Sequence, residues 1–267
     1  MLINKQDFKP KRYSSGELKL EREQMDSYVI DNRVEILFEN KLSVFELLLI
    51  LDYYKSKGIT IDLILSYLPY QRMDHKDSHL VDTLTNVENV FNRLDLNSIT
   101  ICEPHSSIQG FNNAKKFSYV DNLKDMVLKT INFNQETDVA VLTDKGGVKR
   151  YGNIAKNIVY FNKERDSKTG LIVKQEIVGD LKEAKKVLIV DDIISTGDTI
   201  VNIVEYLTKC GVEEIYILSG HYEKNKFNKR LEKYENVKAI FSTNSLTKRN
   251  SKKLFLFDIR KIFYDNK

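Results

Sequence analysis

The chain has 267 residues, with 42 Lys plus Arg against 38 Asp plus Glu and a net charge of +4, enough for one large or two ordinary domains and too mild a surplus to demand nucleic acid. Its two cysteines, Cys102 and Cys210, stand in neither a CxxC nor a metal-ligand spacing, which excludes a disulfide framework and fits a reducing compartment, the cytoplasm. The N-terminus lacks an apolar signal core, and the longest apolar run, Val44 to Leu51, is broken by Glu46, so neither a secreted nor a membrane protein is expected.

In chain order, short apolar and β-branched runs predict strands at Val34–Phe38, Ile61–Tyr67, Ser98–Cys102, Val139–Leu142, Ile158–Phe161, Val187–Val190, Glu214–Leu218, Ala239–Ser242 and Leu254–Phe257. Helical patterns fall between them, over Val44–Lys57, Val81–Leu94, Asn122–Asn132, Ile200–Cys210 and Lys226–Lys233. Strand and helix alternating in this way predict an α/β protein with parallel sheets flanked by helices. No Pro-rich or Ser/Gly-rich linker separates modules, so two closely coupled domains are expected, residues 1–119 and 120–267, joined near Tyr119–Leu123. In such folds ligands gather beyond the carboxyl ends of the strands.

The sharpest local signal is Val187-Leu-Ile-Val-Asp-Asp-Ile-Ile-Ser-Thr-Gly-Asp-Thr199, a strand running into two acids, a small-residue turn and an amphipathic helix. Backbone N–H groups of the turn, with the hydroxyls of Ser195, Thr196 and Thr199, suit a phosphate at the positive end of a helix. Asp191 and Asp192 suit the vicinal hydroxyls of a sugar. The plainer alternative, acids that merely cap a helix, fits Ser-Thr-Gly poorly. Thr143-Asp-Lys-Gly-Gly-Val-Lys-Arg150 also follows an apolar strand; Gly146 and Gly147 would let amides approach an anion while Asp144 holds hydrated Mg²⁺, against the plainer reading of a tight turn. His105, beyond strand Ser98–Cys102, suits a metal or its phosphate shell unless it is a structural histidine. Lys163 and Arg165 open a polar stretch, Asp166–Gly170, with the composition of a mobile loop that can bring cations onto developing charge, though surface cations are common.

Val190-Asp-Asp-Ile-Ile-Ser-Thr-Gly-Asp-Thr199 resembles the ribose-5-phosphate loop shared by type I phosphoribosyltransferases and ribose-phosphate pyrophosphokinases (PRPP synthetases). Other segments resemble the synthetases alone. Tyr67-Leu-Pro-Tyr-Gln-Arg-Met-Asp-His-Lys-Asp77 is similar to the segment that enters the ATP site, and His105-Ser-Ser-Ile-Gln-Gly-Phe111 to its His-containing loop. Asp144–Arg150 resembles the Asp-x-Gly-Gly-x-Lys-Arg loop, Asn162-Lys-Glu-Arg165 the catalytic loop, and Tyr13-Ser-Ser-Gly-Glu17 the Phe-Ser-x-x-Glu segment that reaches a neighbour's adenine site. The resemblance implies two phosphoribosyltransferase-like domains and Mg²⁺-dependent transfer of the β,γ-diphosphoryl group of ATP to the anomeric hydroxyl of ribose 5-phosphate, releasing AMP. It implies Lys163 and Arg165 as catalytic residues, with Tyr13, Glu17, Arg72, Asp74 and His105 at ATP. It further implies Asp191, Asp192, Ser195, Thr196, Gly197, Asp198 and Thr199 at ribose and phosphate, Asp144, Gly146 and Gly147 at the diphosphate, and His105 and Asp144 at the metal. Tyr13 and Arg72 would clamp the purine between ring and guanidinium, and a shared adenine site implies at least a dimer.

The sequence departs from the family in places. It begins close to the Tyr13 segment, so the family's first strand and helix are expected to be missing, and Ser78-His-Leu-Val-Asp-Thr83 lacks the basic sequence tied to allosteric control. His75 replaces a Lys or Arg, Ser15 an amide or acid, and Asp198 a glycine. A carboxylate at position 198 would repel a monoester dianion of charge about −2 more than a diester-like diphosphate. The alternative acceptor is therefore ADP-ribose, converted to its 1-diphosphate in NAD salvage. A compact, Lys/Asn-rich chain is compatible with a viral member acting in host cytoplasm. A phosphoribosyltransferase would have no use for Arg72, His105 and the Lys163/Arg165 pair. A non-catalytic regulator would have lost that pair, and residues 1–30 are too short for a DNA-binding head. Neither a nucleic acid nor a membrane is an expected partner.

Overall fold

The β-branched runs become the central strands of two sheets, one in each of two units, Met1–Ser118 and Tyr119–Lys267. The structure, a computed structural model, describes residues 1–39, 42–74, 81–165, 172–223, 230–231, 233–248 and 251–265; the side chains of 163–165 and 172–175 fall outside that description.

The first unit carries β1 (Leu2–Ile3), β2 (Gln6–Asp7), β3 (Lys11–Arg12), β4 (Leu18–Lys19), α1 (Arg22–Asp26), β5 (Arg33–Phe38), α2 (Val44–Ser56), β6 (Thr60–Leu65), α3 (Thr83–Asn92), β7 (Ser98–Cys102) and β8 (Ala114–Phe117). Its sheet runs in the order β2-β1-β5-β6-β7-β8, parallel from β5 to β8. The edge is antiparallel: β1 pairs with both β2 and β5. Asn4 and Lys5, both in the left-handed region (φ 46° and 64°), make the two-residue turn between β1 and β2, the backbone such hairpins require. The opening residues thus supply an edge that their alternation does not reveal. Helix α2 shows the local logic best. Ser43 and Glu46 form a reciprocal capping box, Leu47, Ile50, Leu51 and Tyr54 bury one face, and Gly58 at φ 69° turns the chain away.

The second unit carries α4 (Tyr119–Thr130), β9 (Val139–Leu142), α5 (Lys145–Tyr151), β10 (Ile158–Arg165), β11 (Ile172–Val178), β12 (Lys186–Ile194), α6 (Asp198–Lys209), β13 (Glu214–Tyr222), β14 (Val237–Thr243), β15 (Leu254–Phe257) and α7 (Ile259–Asp265). The expected joint at Tyr119–Leu123 is the first turn of α4, three residues earlier than the helix read from the pattern. The sheet order is β11-β10-β9-β12-β13-β14-β15, parallel except for β10 with β11. The expected parallel sheets flanked by helices are present, each with an antiparallel edge added: the hydrophobic runs of central strands say nothing about polar edge strands. Every residue of β9 is buried, as a strand covered on both faces requires.

From β9 the chain moves to β10 on one side, whereas β12 lies on the other and the order then continues outward through β13, β14 and β15. The carboxyl ends of β9 and β12 therefore flank a topological switch point, where open α/β sheets bind ligands. Of the expected helix Lys226–Lys233 only Arg230, Leu231 and Lys233 are described, the first two as helix, and His75, Lys76, Asp77 and Asp166–Gly170 lie outside the described residues.

Candidate active site

At the switch point, the parallel register sets Val190 of β12 beside Leu142 of β9, so Thr143-Asp144 and Asp191-Asp192 leave their strands side by side. Asp192 is buried and Asp191 half-buried. Burial, then the neighbouring charge of Asp192, pushes the Asp191 carboxyl well above its ordinary value, against a hydrogen bond from Thr143. Arg150 answers this negative charge. Its Nη2 lies 3.2 Å from Asp192 Oδ1 and 3.9 Å from Asp144 Oδ1. Burial opposes the charge of the guanidinium, and Asp192, Tyr151, Asp144 and Asp191 outweigh it. The two acids and the arginine form a braced polar cluster that can receive hydroxyl donors.

Asp144 is the N-cap of α5, its Oδ1 accepting the Gly147 N–H at 2.7 Å. Gly146 and Gly147 accordingly lie in the first turn of a helix, not in an open loop, which corrects the loop reading of this segment. A Cβ at 147 would stand 3.3 Å from the Leu142 Cβ, a tight contact that favours glycine there. The Asp144 side chain is 44% exposed. Among the described residues no three His, Cys, Asp or Glu side chains converge on one point, so no all-protein metal cage is present among them. Mg²⁺ usually takes one or two carboxylates, water and substrate phosphates. The exposed carboxylate of Asp144 fits that need. His105, a nitrogen donor, suits the phosphate shell better than direct coordination.

Past Asp192, β12 runs on to Ile194, and Ser195-Thr196-Gly197 turns into α6. Gly197 at φ 76° is the N-cap and offers no side chain to the helix, so the positive end of α6 is met by the loop and by the first-turn carboxylate of Asp198. The Ser195 hydroxyl donates to the Glu223 carboxylate, just past β13. Asp198, in the first turn and exposed, pairs with Arg230. Arg230 first, and Thr196 next, hold its carboxyl below the usual range. The expected repulsion of a dianion by Asp198 is therefore offset in part, because its charge is paired with a guanidinium. Thr199 follows in the same turn of α6.

Lys163 and Arg165 lie on β10, which reaches Arg165 instead of ending at Phe161, and they pair in antiparallel register with Gln175 and Ile172 of β11. The expected loop position is thus corrected to a β-ribbon; its side chains and the stretch 166–170 are outside the described residues.

In the first unit, Tyr13 and Glu17 sit on the β3–β4 hairpin, where the Tyr13 N–H donates to the Glu17 carbonyl at 3.0 Å and Gly16 at φ 89° makes the turn. Tyr13 is 56% exposed. Arg12 bonds Glu46 at 2.5 Å and so ties the hairpin to the capping box of α2. Arg72, exposed, and Asp74 follow β6, and His105 follows β7. Gln71 joins these two strand ends. It is fully buried, its Oε1 accepts the His105 backbone N–H at 3.0 Å, and its carbonyl accepts from Ser106. Arg150, Gln71, Glu223 and Arg230 had no role in the sequence reading. Their partners lie 28 to 42 positions away, so no local pattern marks them.

The phosphoribosyl transferase domain family matches residues 120–253, just over half of the chain. A ribose-phosphate pyrophosphokinase of Sulfolobus acidocaldarius is 27% identical over 221 residues, covering 79% of this chain and 73% of the relative. One of Fusobacterium nucleatum is 28% identical over 260 residues, covering 91% and 79%. The crystal structure of phosphoribosylpyrophosphate synthetase from Mycobacterium smegmatis shares the fold, with a TM-score of 0.72 at 19% identity over 96% of this chain and 90% of that one.

Proposed function

The chain belongs to the phosphoribosyl transferase domain family, and from that premise we propose that it is a ribose-phosphate pyrophosphokinase, transferring the β,γ-diphosphoryl group of ATP to the anomeric hydroxyl of ribose 5-phosphate. The observation that carries this reading is the pairing, at the ends of β9 and β12, of the Asp191/Asp192/Arg150 cluster with a loop that leaves the N-terminus of α6 to a ligand.

Asp191 and Asp192 accept hydrogen bonds from the ribose hydroxyls, and Arg150, bonded to Asp192, fixes it for that purpose. The Ser195–Thr199 loop holds the 5-phosphate. The anomeric oxygen attacks the β-phosphorus, the bond from that phosphorus to the oxygen bridging the α-phosphate breaks, AMP leaves with the bridging oxygen, and the hydroxyl proton is released. Lys163 and Arg165 stabilise the charge that builds on the transferring group. Asp144, with His105 at the phosphate shell, would hold Mg²⁺, which when bound would supply neutralisation of the triphosphate charge. Arg72 and Asp74 serve the adenine end of ATP, and Tyr13 and Glu17, exposed on their hairpin, serve that of an adjacent subunit, which makes the working protein at least a dimer. Most of the acceleration is positioning and charge neutralisation.

Lys163→Ala and Arg165→Ala test the assignment of the catalytic pair. Each is expected to lower kcat by about 10²- to 10³-fold with little change in either KM, as for loss of a group that acts on the transition state. Retained kcat in both variants, read by AMP release, would remove the pair from the mechanism.

A further inference from the structure

The phosphate loop is unusual in carrying a carboxylate in its own helical turn. Asp198 occupies the first position of α6, where its charge is favourable to the helix but competes with any phosphate seeking the same amides and the same positive potential. A second carboxylate, Glu223, already takes the hydroxyl of Ser195. Two anions thus face a site whose ligand is itself an anion. Among the described residues the balancing cation is Arg230, which reaches Asp198 from 32 positions further along the chain. Its Nη1 donates to Asp198, and a guanidinium carries five N–H donors.

We propose that Arg230 is a positioning and specificity residue for the acceptor phosphate: by neutralising Asp198 it converts a loop that would repel a phosphate monoester into one that binds it. This rests on reading the Ser195–Thr199 loop as the acceptor-phosphate site. Asp198 and Arg230 act as one unit, so their removal has opposite signs. Loss of Arg230 alone leaves an unbalanced carboxylate beside the phosphate. Loss of Asp198 alone frees a guanidinium for it. Loss of both returns the loop to near its starting charge.

The test uses the full chain with Arg230→Ala, Arg230→Lys, Asp198→Gly and the double variant Asp198→Gly/Arg230→Ala. Binding of ribose 5-phosphate and of inorganic phosphate is measured by calorimetry, beside KM and kcat for ribose 5-phosphate. Arg230→Ala is expected to weaken binding and raise KM about tenfold, with kcat within about twofold, and the effect shrinks as salt rises. Arg230→Lys is expected to stay near wild type, Asp198→Gly to bind more tightly, and the double variant to recover most of what Arg230→Ala loses. Both side chains are about half exposed, so unchanged thermal midpoints are expected. Equal affinities across the set, or a double variant as weak as Arg230→Ala, would overturn the proposal, as would a wild type that binds neither phosphate probe. A wild type that binds ribose 5-phosphate but releases no AMP would instead overturn the proposed activity and leave the charge comparison standing.

Discussion

Asp191 carries an electrostatic cost at the switch point, because burial and the adjacent Asp192 both disfavour its ionised form. In the folded chain it holds its proton more tightly than an unfolded aspartate, whose pKa is about 3.9. The native state therefore binds more protons than the unfolded one between that value and the raised native value, so stability falls as pH rises through that window and stays lowered above it. Asp191→Asn removes the penalty. The ligand-free variant is expected to melt at a higher temperature than wild type at pH 7 and to show a flatter stability profile between pH 4 and 7, while its affinity for ribose 5-phosphate falls. A lower melting temperature at pH 7, by calorimetry across that range, would contradict the burial account. Asp191 and Asp192 were legible because two acids at the end of an apolar run are a local pattern. Arg150 stands in the quoted motif, yet its role becomes visible only when β9 and β12 are seen as neighbours. Asp198 was legible as a departure from the family, but its partner Arg230 was not, since it belongs to a distant stretch of chain.

Elements show the same division between local and distant information. The end of α2 was read to within one residue, because its capping box, its buried face and the glycine beyond it are all local. Helix α5 was missed: Gly-Gly reads as a turn, and only the close approach to Leu142 explains why a helix uses glycine there. Strand β10 was read four residues short, since its polar end is held by pairing with β11 and not by burial. Glu46 serves two elements at once, closing the capping box and anchoring the Tyr13 hairpin through Arg12. Glu46→Ala is expected to cost about 1 kcal/mol of stability, the size of a lost cap, and to raise the KM for ATP more than that for ribose 5-phosphate, because the freed hairpin bears Tyr13 and Glu17. Denaturant unfolding and a two-substrate kinetic comparison check both halves. Equal KM changes for the two substrates would detach the hairpin from the ATP site.

At the scale of the molecule, alternation of strand and helix was enough to specify an α/β chain with mostly parallel sheets, and the order of motifs from Tyr13 to Thr199 was enough to specify the family. The antiparallel edges β1–β2 and β10–β11 were not legible, because edge strands are short or polar and carry no hydrophobic period. No helix among the described residues is long and apolar enough to cross a membrane, and neither cysteine forms a disulfide, Cys102 being buried and Cys210 exposed. The central claim is chemical: a diphosphoryl group moves in one piece from ATP to a sugar hydroxyl. Its most direct test is mass analysis of the products formed from Mg²⁺-ATP with ribose 5-phosphate and, in parallel, ADP-ribose. The expected result is AMP together with the 1-diphosphate of ribose 5-phosphate. Formation of ADP, or AMP formation that requires ADP-ribose while ribose 5-phosphate stays unchanged, would contradict it.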